Sequence, residues 1–305
     1  MRLSLNRALQ DRLFLTEIII CSILLIGVKS GMVRVAKVSG LDAWIIPTLA
    51  NGKGEKTMET KERIIVALDT QDVSKAFELV NTLKGQVGGF KIGLEFITAL
   101  FAQLMMEKDE KKAKQQLDEA RSLFGLIGGD LFYDGKWHDI PNTLRGATEA
   151  IGILSPKYFN VHASSGLAAI SAAAEKKGSS KLLVVTVLTS FDEIDCNLVY
   201  GAPSQAKVIQ FARDAKLAGA DGLICSPQEI AVIRSRPELN TLMLVTPGVR
   251  PAGAGKDDQR RTLTPGEAIK AGADALVIGR PITQPPGIGT PLNAVKQIVD
   301  GINAI

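Results

Sequence analysis

The sequence contains few of the residues that build disulfide frameworks and zinc sites. Among its 305 residues are three cysteines and two histidines. Cys21, Cys196 and Cys225 are widely spaced, odd in number and outside any CxxC pattern, which indicates a reducing compartment, and we expect a cytoplasmic protein. His138 and His162 lie far apart in the chain. A zinc site would therefore need carboxylates as further ligands, and we expect no metal.

The chain also lacks a strong excess of either charge. The formal net charge is +4, and residues 1–60 carry 8 Lys and Arg against 5 Asp and Glu, which leaves 28 against 27 in the remainder. A nucleic-acid-binding protein usually shows a basic stripe with exposed aromatic residues. Because the body of this chain is nearly neutral and only 5% of its residues are aromatic, we expect a small-molecule ligand and no nucleic-acid partner.

A hydrophobic run long enough to span a membrane is missing as well. Residues 13–28 form an apolar run of roughly 16 residues that contains Glu17, whereas a membrane-spanning helix needs about 20. A signal peptide is not indicated either, because no small-residue cleavage site is obvious. We expect residues 1–60 to be an N-terminal extension that is disordered or docked, or that reflects a start codon assigned too early, with Met58 as the alternative start. A weak membrane or partner contact through 13–28 stays open.

From Arg63 onward, short apolar runs alternate with amphipathic, alanine-rich stretches. Continuous apolar runs are typical of parallel strands that are buried on both faces. Eight such repeats over about 240 residues predict that residues 61–305 form a single-domain (β/α)8 TIM barrel, with a doubly wound open sheet as the alternative. The predicted strands are 64–68, 89–92, 131–134, 158–161, 182–188, 222–225, 242–246 and 275–278, and the predicted helices include 73–83, 167–176, 206–218 and 265–271.

One connection, residues 101–124, is longer than the others and dense in helix-forming residues. Glu107 and Lys111, like Glu110 and Lys114, have the i,i+4 spacing that stabilises an exposed helix. We therefore expect a solvated helix here, with a partner-binding surface as the alternative.

Charged and polar residues collect where the predicted strands end. Active sites of (β/α)8 barrels lie at this C-terminal face. Side chains two positions apart on a strand point the same way, so Asp134 and Lys136 are expected to face the barrel mouth, with Asp139 in the following loop. Alternating lysines and aspartates give each buried charge an opposite partner. The residues at strand ends are Asp69, Lys91, Asp134, Lys136, His162, Thr189, Arg250 and Arg280.

Seven motifs, in this order, give the chain a resemblance to a known family. They are VALD at 66–69, FKIG at 90–93, DGKWHDIPNT at 134–143, VTVLTS at 185–190, TPGVR at 246–250, DDQRR at 257–261 and IGRPIT at 278–283. Through them, residues 62–300 resemble orotidine 5'-phosphate decarboxylase. The resemblance implies a barrel that forms homodimers with shared active sites. It also implies conversion of orotidine 5'-monophosphate to UMP and CO2 in de novo pyrimidine biosynthesis, without a metal or organic cofactor.

The resemblance also implies a role for each matching residue. Lys136 would donate a proton to C6 of the pyrimidine as CO2 leaves. The charged array would be completed by Lys91, Asp134 and Asp139, with Asp139 reaching into the partner subunit's site and Thr143 at the same shared edge. Asp69 would bind the ribose and Thr189 the pyrimidine edge, while the phosphate would be held by Gln259, Gly279 and Arg280, with Arg250 near it. The stretch PAGAGKDDQRR would close over the ligand, and His138 and His162 are expected to be structural.

The match is imperfect at Gly135, where the family usually has a larger aliphatic residue, and we expect glycine to loosen this strand end. Two alternative functions stay open. The first is a metal-dependent sugar-phosphate decarboxylase or aldolase of the related barrels, which share a D-x-K-x-x-D arrangement. Those enzymes use a carboxylate near the end of the second strand to hold magnesium, where this chain has Lys91. The second is a catalytically weakened phosphate-ligand binding protein, suggested by Gly135 and the run 13–28.

Overall fold

The computed structural model describes residues 58–250, 263–286 and 289–305. Within them, eight parallel strands pair in sequence order and close into a barrel, with helices in the connections. This confirms the predicted (β/α)8 TIM barrel over the doubly wound open sheet. The apolar run 13–28, most of the expected extension 1–60 and the expected closing loop at 251–261 lie outside the described residues.

All eight predicted strands are present, and the largest differences from the prediction lie at the ends of the third and fifth. Val187 follows the fifth strand in an apolar run, yet it packs in the layer between the barrel and the helices rather than extending the strand. The strands are β1 (Ile64–Ala67), β2 (Gly89–Gly93), β3 (Leu131–Trp137), β4 (Tyr158–His162), β5 (Lys181–Val185), β6 (Gly222–Ile224), β7 (Met243–Pro247) and β8 (Ala275–Ile278).

The helices follow the strands around the outside of the barrel. The first begins where the Asp72 carboxylate accepts a hydrogen bond from the backbone N–H of Lys75 at 3.1 Å, a typical N-cap. The helices are α1 (Val73–Leu83), α2 (Leu94–Met106), α3 (Glu110–Ile127), α4 (Pro141–Ile151), α5 (Leu167–Ala174), α6 (Glu193–Tyr200), α7 (Ser204–Leu217), α8 (Ile230–Arg234), α9 (Pro265–Ala271), α10 (Arg280–Thr283) and α11 (Pro291–Asn303).

The long connection forms two helices, α2 and α3, rather than one. Glu107 lies at the C-cap of α2, and Asp109 caps the start of α3. The expected i,i+4 pair between Glu107 and Lys111 is therefore wrong, because the helix ends between these residues. The Glu107 side chain instead accepts a hydrogen bond from the Asp109 N–H at 3.0 Å.

The buried strands alternate between two apolar layers. Ile64 and Val66 of β1 pack against the helices, whereas Ile65 and Ala67 point into the barrel. This two-residue period explains why the strands are apolar on both faces. It also determines which polar side chains face inward near the C-terminal ends.

Among the described residues, no helix combines the length and the hydropathy that crossing a membrane requires.

Candidate active site

The C-terminal ends of the strands surround a cavity of about 510 Å³, a volume typical of small-molecule sites. Its apolar floor is formed by inward-facing residues such as Ala67, Phe132 and Val277. The polar side chains that line it belong to Asp69, Lys91, Glu95, Asp134, Lys136, Thr189, Arg250, Arg280, Thr283 and Gln284, and Gly279 lines it as well. Of the eleven residues predicted for the site, ten lie in the described ranges, and eight of these ten line one cavity; the other two are Asp139 and Thr143.

Four charged side chains at the C-terminal ends of β1, β2 and β3 form a chain of ion pairs in this cavity. The Lys91 ammonium lies 2.9 Å from Asp69 Oδ1 and 3.1 Å from Asp134 Oδ2. Asp134 Oδ2 also accepts a hydrogen bond from Lys136 Nζ at 2.5 Å. Each ammonium therefore has a carboxylate partner, and the Asp134 carboxylate is shared between two lysines.

The interior of this array is strongly buried, which makes its charges interdependent. Lys91 is 8% exposed and Asp134 is 3% exposed. Burial lowers the pKa of Lys91, but Asp134 and Asp69 outweigh it and leave this pKa raised. Burial raises the pKa of Asp134, but Lys91, Lys136 and a hydrogen bond from Asn160 outweigh it and leave this pKa lowered. Both groups are therefore held in their charged forms.

Gly93, at the end of β2, leaves the space in which the Lys91 ammonium lies. A Cβ atom at this position would be 2.9 Å from Lys91 Nζ and 3.6 Å from Asp69 Oδ1. A side chain here would displace the ammonium from between its two carboxylates. The glycine of the FKIG motif is therefore required by the geometry of the array.

Lys136 has an unusual backbone conformation that is supported by Asn160. Its φ is +45°, in the left-handed region that non-glycine residues rarely adopt, and such a residue costs about 1–3 kcal/mol unless its surroundings support it. The Lys136 N–H donates to Asn160 Oδ1 at 2.7 Å. The pairing of β3 with β4 is also irregular between Tyr133 and Trp137. The strand end is thus bent at the residue that carries the ammonium.

Two aromatic side chains close over Gly135. A Cβ at Gly135 would lie 2.6 Å from Trp137 Nε1 and 2.8 Å from Tyr133 Cε1. The Tyr133 and Trp137 ring centroids are 5.6 Å apart, and Trp137 also packs 5.9 Å from Phe159. The rings occupy the place of the missing side chain. We expected glycine to loosen this strand end, but the space beside Gly135 is filled by packed aromatic rings. The effect of Gly135 on Lys136 stays a prediction.

The opposite side of the cavity is built from the ends of β7 and β8. Gly248 follows β7 with a φ of +77°, and both it and Arg250 line the cavity. A Cβ at Gly279 would make only ordinary contacts, 3.6 Å from Ala67 Cβ. Packing therefore does not require glycine at 279, and the missing side chain leaves the backbone open to a ligand. With the Arg280 guanidinium beside it, this wall suits an anionic group.

Asp139 and Thr143 do not line this cavity. Both are exposed, at the end of the β3 loop and in the first turn of α4. The Asp139 carboxylate accepts a hydrogen bond from the Ile140 N–H at 2.7 Å. Gln259, the remaining predicted site residue, lies outside the described residues.

The two histidines lie together beside the site rather than in its lining. The ring centroids of His138 and His162 are 6.2 Å apart. Burial, His138 and Lys136 lower the pKa of His162 despite the opposing effect of Asp134. A structural role for both histidines stays a prediction.

Four residues in or beside the cavity were not predicted from the sequence: Asn160, Glu95, Thr283 and Gln284. Asn160 is fully buried on β4, and its Nδ2 donates to Asp134 Oδ1 at 2.5 Å. A signal was present, because Asn160 is a polar residue inside the apolar run YFNV, two positions after the inward-facing Tyr158. Glu95, Thr283 and Gln284 line the cavity. Thr283 ends the IGRPIT motif, whereas nothing in the spacing of Glu95 and Gln284 distinguishes them from ordinary surface residues.

Together, the fold and the cavity define a class of enzyme. It is a (β/α)8 barrel that can hold an anionic small molecule at the β7 and β8 ends and present an ammonium group at the β3 end. In the described ranges, no group of three or more His, Cys, Asp and Glu side chains is arranged to hold a metal ion.

Comparison with known proteins gives the family. The sequence profile of the orotidine 5'-phosphate decarboxylase / HUMPS family matches residues 62–298, and the chain belongs to this family. The resemblance drawn from the seven motifs is thereby confirmed.

Individual relatives agree over nearly their whole lengths. Orotidine 5'-phosphate decarboxylase of Moorella thermoacetica is 39% identical over 274 residues, which covers 85% of this chain and 100% of that protein. The protein of the same name from Anaeromyxobacter dehalogenans is 38% identical over 247 residues, 80% of this chain and 100% of that protein. The crystal structure of orotidine 5'-phosphate decarboxylase from Lactobacillus acidophilus is similar with a TM-score of 0.59 at 30% identity, covering 79% of this chain and 98% of that one.

Proposed function

We propose that the chain is an orotidine-5'-phosphate decarboxylase, a carboxy-lyase that converts orotidine 5'-monophosphate to UMP and CO2 in de novo pyrimidine biosynthesis. The observation that carries the proposal is the Lys91–Asp134–Lys136 array, which shares one cavity with the anion-binding groups at Gly279 and Arg280. The relatives named orotidine 5'-phosphate decarboxylase support the same activity.

The chemistry requires a positive charge at the carbon that loses CO2. The bond between C6 of the pyrimidine and the carboxylate carbon breaks, and its electron pair stays on C6, where no carbonyl group can absorb it. The Lys136 ammonium stabilises this developing anion and then gives its proton to C6, which yields UMP and leaves a neutral amine that solvent reprotonates. Lys136 is therefore the proton donor.

The rest of the array keeps the ammonium charged and aimed. Asp134 holds Lys136 Nζ at 2.5 Å and is itself held by Lys91 at 3.1 Å. Its own negative charge also disfavours the substrate carboxylate in the ground state and is relieved when neutral CO2 leaves. Thr189 contacts the pyrimidine edge and Asp69 the ribose.

Phosphate binding occurs at the other end of the cavity and supplies binding energy that is remote from the reacting carbon. Arg280 and the Gly279 backbone bind the phosphate oxygens, with Arg250 beside them and Gln259 from the stretch 251–261. Binding at this end fixes C6 against Lys136.

We also propose a homodimer with shared sites, in which Asp139 and Thr143 complete the partner's cavity. Their exposure outside the cavity of their own subunit supports this arrangement. A cytoplasmic location is proposed as well, because Cys196 and Cys225, the cysteines in the described part of the chain, form no disulfide bond there.

The reaction is proposed to need no metal or organic cofactor. In the related metal-dependent barrels, a carboxylate near the end of the second strand helps to hold magnesium. Here the Lys91 ammonium occupies the space between the carboxylates of Asp69 and Asp134, and its positive charge repels a divalent cation from that position.

The test is an assay of the purified full-length chain with orotidine 5'-monophosphate in EDTA, following the loss of substrate absorbance. We expect turnover without added metal. Lys136→Ala should lower kcat by about 10³-fold or more because it removes both the charge and the proton. The same variant should still bind UMP, because the phosphate groups are untouched.

Lys181→Ala provides a matched control, since Lys181 begins β5 at the opposite end of the barrel. It should leave turnover unchanged. Absence of wild-type turnover, or turnover that appears only with magnesium, would contradict the proposed activity. Near-normal turnover by Lys136→Ala would contradict its role as proton donor.

A further inference from the structure

Asn160 joins the two functional residues of β3 through both ends of its side-chain amide. Its Nδ2 donates to Asp134 Oδ1 at 2.5 Å, and its Oδ1 accepts from the Lys136 N–H at 2.7 Å. Asn160 is fully buried, and these bonds connect β4 with the bent end of β3. Both groups of the amide are therefore used where the catalytic lysine leaves regular strand geometry.

The orientation of this amide is fixed by the chemistry of its neighbours. An ionised carboxylate accepts hydrogen bonds only, and a backbone N–H donates only. The NH2 group of Asn160 must therefore face Asp134, and its oxygen must face Lys136. A carboxylate, a hydroxyl or an apolar side chain at 160 could not make both hydrogen bonds in this geometry.

We infer that Asn160 is a positioning residue for decarboxylation, which holds the Asp134 carboxylate and the Lys136 backbone in the one arrangement that aims the ammonium at the substrate. The inference rests on the proposed function. It concerns geometry rather than contact with the substrate, because Asn160 lies beneath the cavity and is absent from its lining.

Each of the two hydrogen bonds has a separate effect. The bond to Lys136 supports the left-handed backbone at φ +45°, without which the side chain would leave the strand end in another direction. The bond to Asp134 fixes Oδ1, so that Oδ2 faces Lys91 and Lys136. It also contributes to the lowered pKa of Asp134. Losing either bond should reduce turnover more than substrate binding.

The pH dependence of kcat reflects every charged group near Asp134. Lys136 is on the same strand, and Asn160 contacts Asp134 from β4. Lys91 on β2 contacts Asp134 directly, and Asp69 after β1 contacts the same ammonium group. His162 on β4 interacts electrostatically with Asp134 and with His138 after β3. The wild-type pH profile contains their contributions and is the reference for each variant.

The experiment compares Asn160→Ala and Asn160→Asp with the wild type. For Asn160→Ala we expect kcat to fall by about 100-fold, because misplacement of a reacting group by about 1 Å has an effect of this size. KM and the affinity for UMP should change little, since the phosphate end is intact. The acidic limb of the kcat profile should move to higher pH, because Asp134 loses a hydrogen bond that favours its charged form.

Asn160→Asp keeps the size of the side chain and separates the two hydrogen bonds. Its oxygen can still accept from the Lys136 N–H, but a second oxygen replaces the NH2 group that faces Asp134. Two facing carboxylates share a proton and titrate as a pair. A protonated carboxyl group can donate to Asp134 as the amide does, so activity should be highest at low pH and fall as the pair loses its proton.

The control for a purely structural effect is Thr186→Val. Thr186 is a buried hydroxyl on the neighbouring strand end that donates to the Ile224 carbonyl at 3.0 Å and does not line the cavity. Its loss should lower thermal stability without changing kcat or its pH profile. Turnover is expressed per UMP-binding site in every variant, so that unfolded molecules are not counted.

Two results would overturn the inference while wild-type turnover is normal. One is unchanged kcat per UMP-binding site in Asn160→Ala. The other is an equal loss of kcat and of UMP affinity in both variants, with a pH profile of kcat that matches the wild type. This result would show that Asn160 has only a structural role. If the wild type itself does not turn over, the proposed function fails instead, so the two failures are distinguishable.

Discussion

Gly135 illustrates how one residue can be fixed by its neighbours rather than by its own backbone. It is not among the residues with positive φ, so a side chain is compatible with the backbone conformation. The obstacle is steric, because Trp137 Nε1 and Tyr133 Cε1 lie 2.6 Å and 2.8 Å from where a Cβ would be. The glycine and the two rings therefore form one packing unit next to Lys136.

This unit gives a prediction for the same substitution at two glycines. Gly135→Ala should lower the free energy of unfolding by about 1–3 kcal/mol, because the new methyl group forces the rings from their positions. It should also lower kcat, since Lys136 is the adjacent residue. Gly146→Ala should instead stabilise by about 0.5–1 kcal/mol, because Gly146 lies within α4 and a Cβ there meets no atom within 4 Å.

Denaturant unfolding and steady-state kinetics of both variants check this prediction. Adding Trp137→Leu to Gly135→Ala should recover part of the lost stability by removing the indole. Equal effects at the two glycines would show that the rings do not constrain position 135.

At the residue scale, charge at a strand end was informative because it has no packing purpose there. It predicted that Lys91, Asp134 and Lys136 lie together, and the structure brings both ammonium groups within 2.5–3.1 Å of the Asp134 carboxylate, while their catalytic roles stay predictions. Asn160 was missed because its function depends on contacts with residues of another strand. Lys136 and Asp134 lie 24 and 26 positions before it in the sequence. Spacing along one strand does not reveal such contacts.

At the scale of elements, the eight strands were predictable because burial on both faces produces continuous apolar runs. The break between α2 and α3 was not predicted, because the stretch 101–124 contains neither glycine nor proline. The break comes from side-chain capping. The Asp109 carboxylate accepts from the backbone N–H groups of Lys111 and Lys112 at 2.9 and 3.1 Å.

This cap predicts a local loss of stability. Asp109→Ala should lower the free energy of unfolding by about 1 kcal/mol, because two N–H groups at the start of α3 lose their acceptor. The matched control is Asp118→Ala on the same helix. Asp118 pairs with Arg121 at 3.5 Å on an exposed face, where such a pair contributes little.

Thermal and denaturant unfolding of both variants test the cap, and kcat should be unchanged in both because α3 supplies no residue to the cavity. A loss in Asp118→Ala as large as that in Asp109→Ala would argue against capping as the cause of the helix break.

At the scale of the whole molecule, the barrel supplies most of a site but leaves two expected residues outside it. Asp139 and Thr143 are exposed beside the mouth. Large apolar side chains are also exposed on the elements that follow β3, β4 and β5, namely Ile140, Leu167, Ile194 and Leu198. A single-chain sequence cannot separate a residue of its own site from one that serves a second copy.

The proposed homodimer predicts that two inactive variants restore activity to each other. Lys136→Ala and Asp139→Ala should each be nearly inactive alone. In a symmetric dimer whose sites combine Lys136 of one subunit with Asp139 of the other, a mixed dimer has one intact site. Equal mixing and re-equilibration of subunits should therefore restore about a quarter of wild-type activity, because half of the dimers are mixed and each has one intact site.

Activity of the mixture is measured against protein concentration, with Lys136→Ala mixed with Lys91→Ala as control. In that control, each change lies in the cavity of the subunit that carries it. One cavity of its mixed dimer lacks Lys136 and the other lacks Lys91, and no activity should return. Failure of the Lys136→Ala and Asp139→Ala mixture to exceed this control, although the subunits exchange, would place Asp139 outside the partner's site.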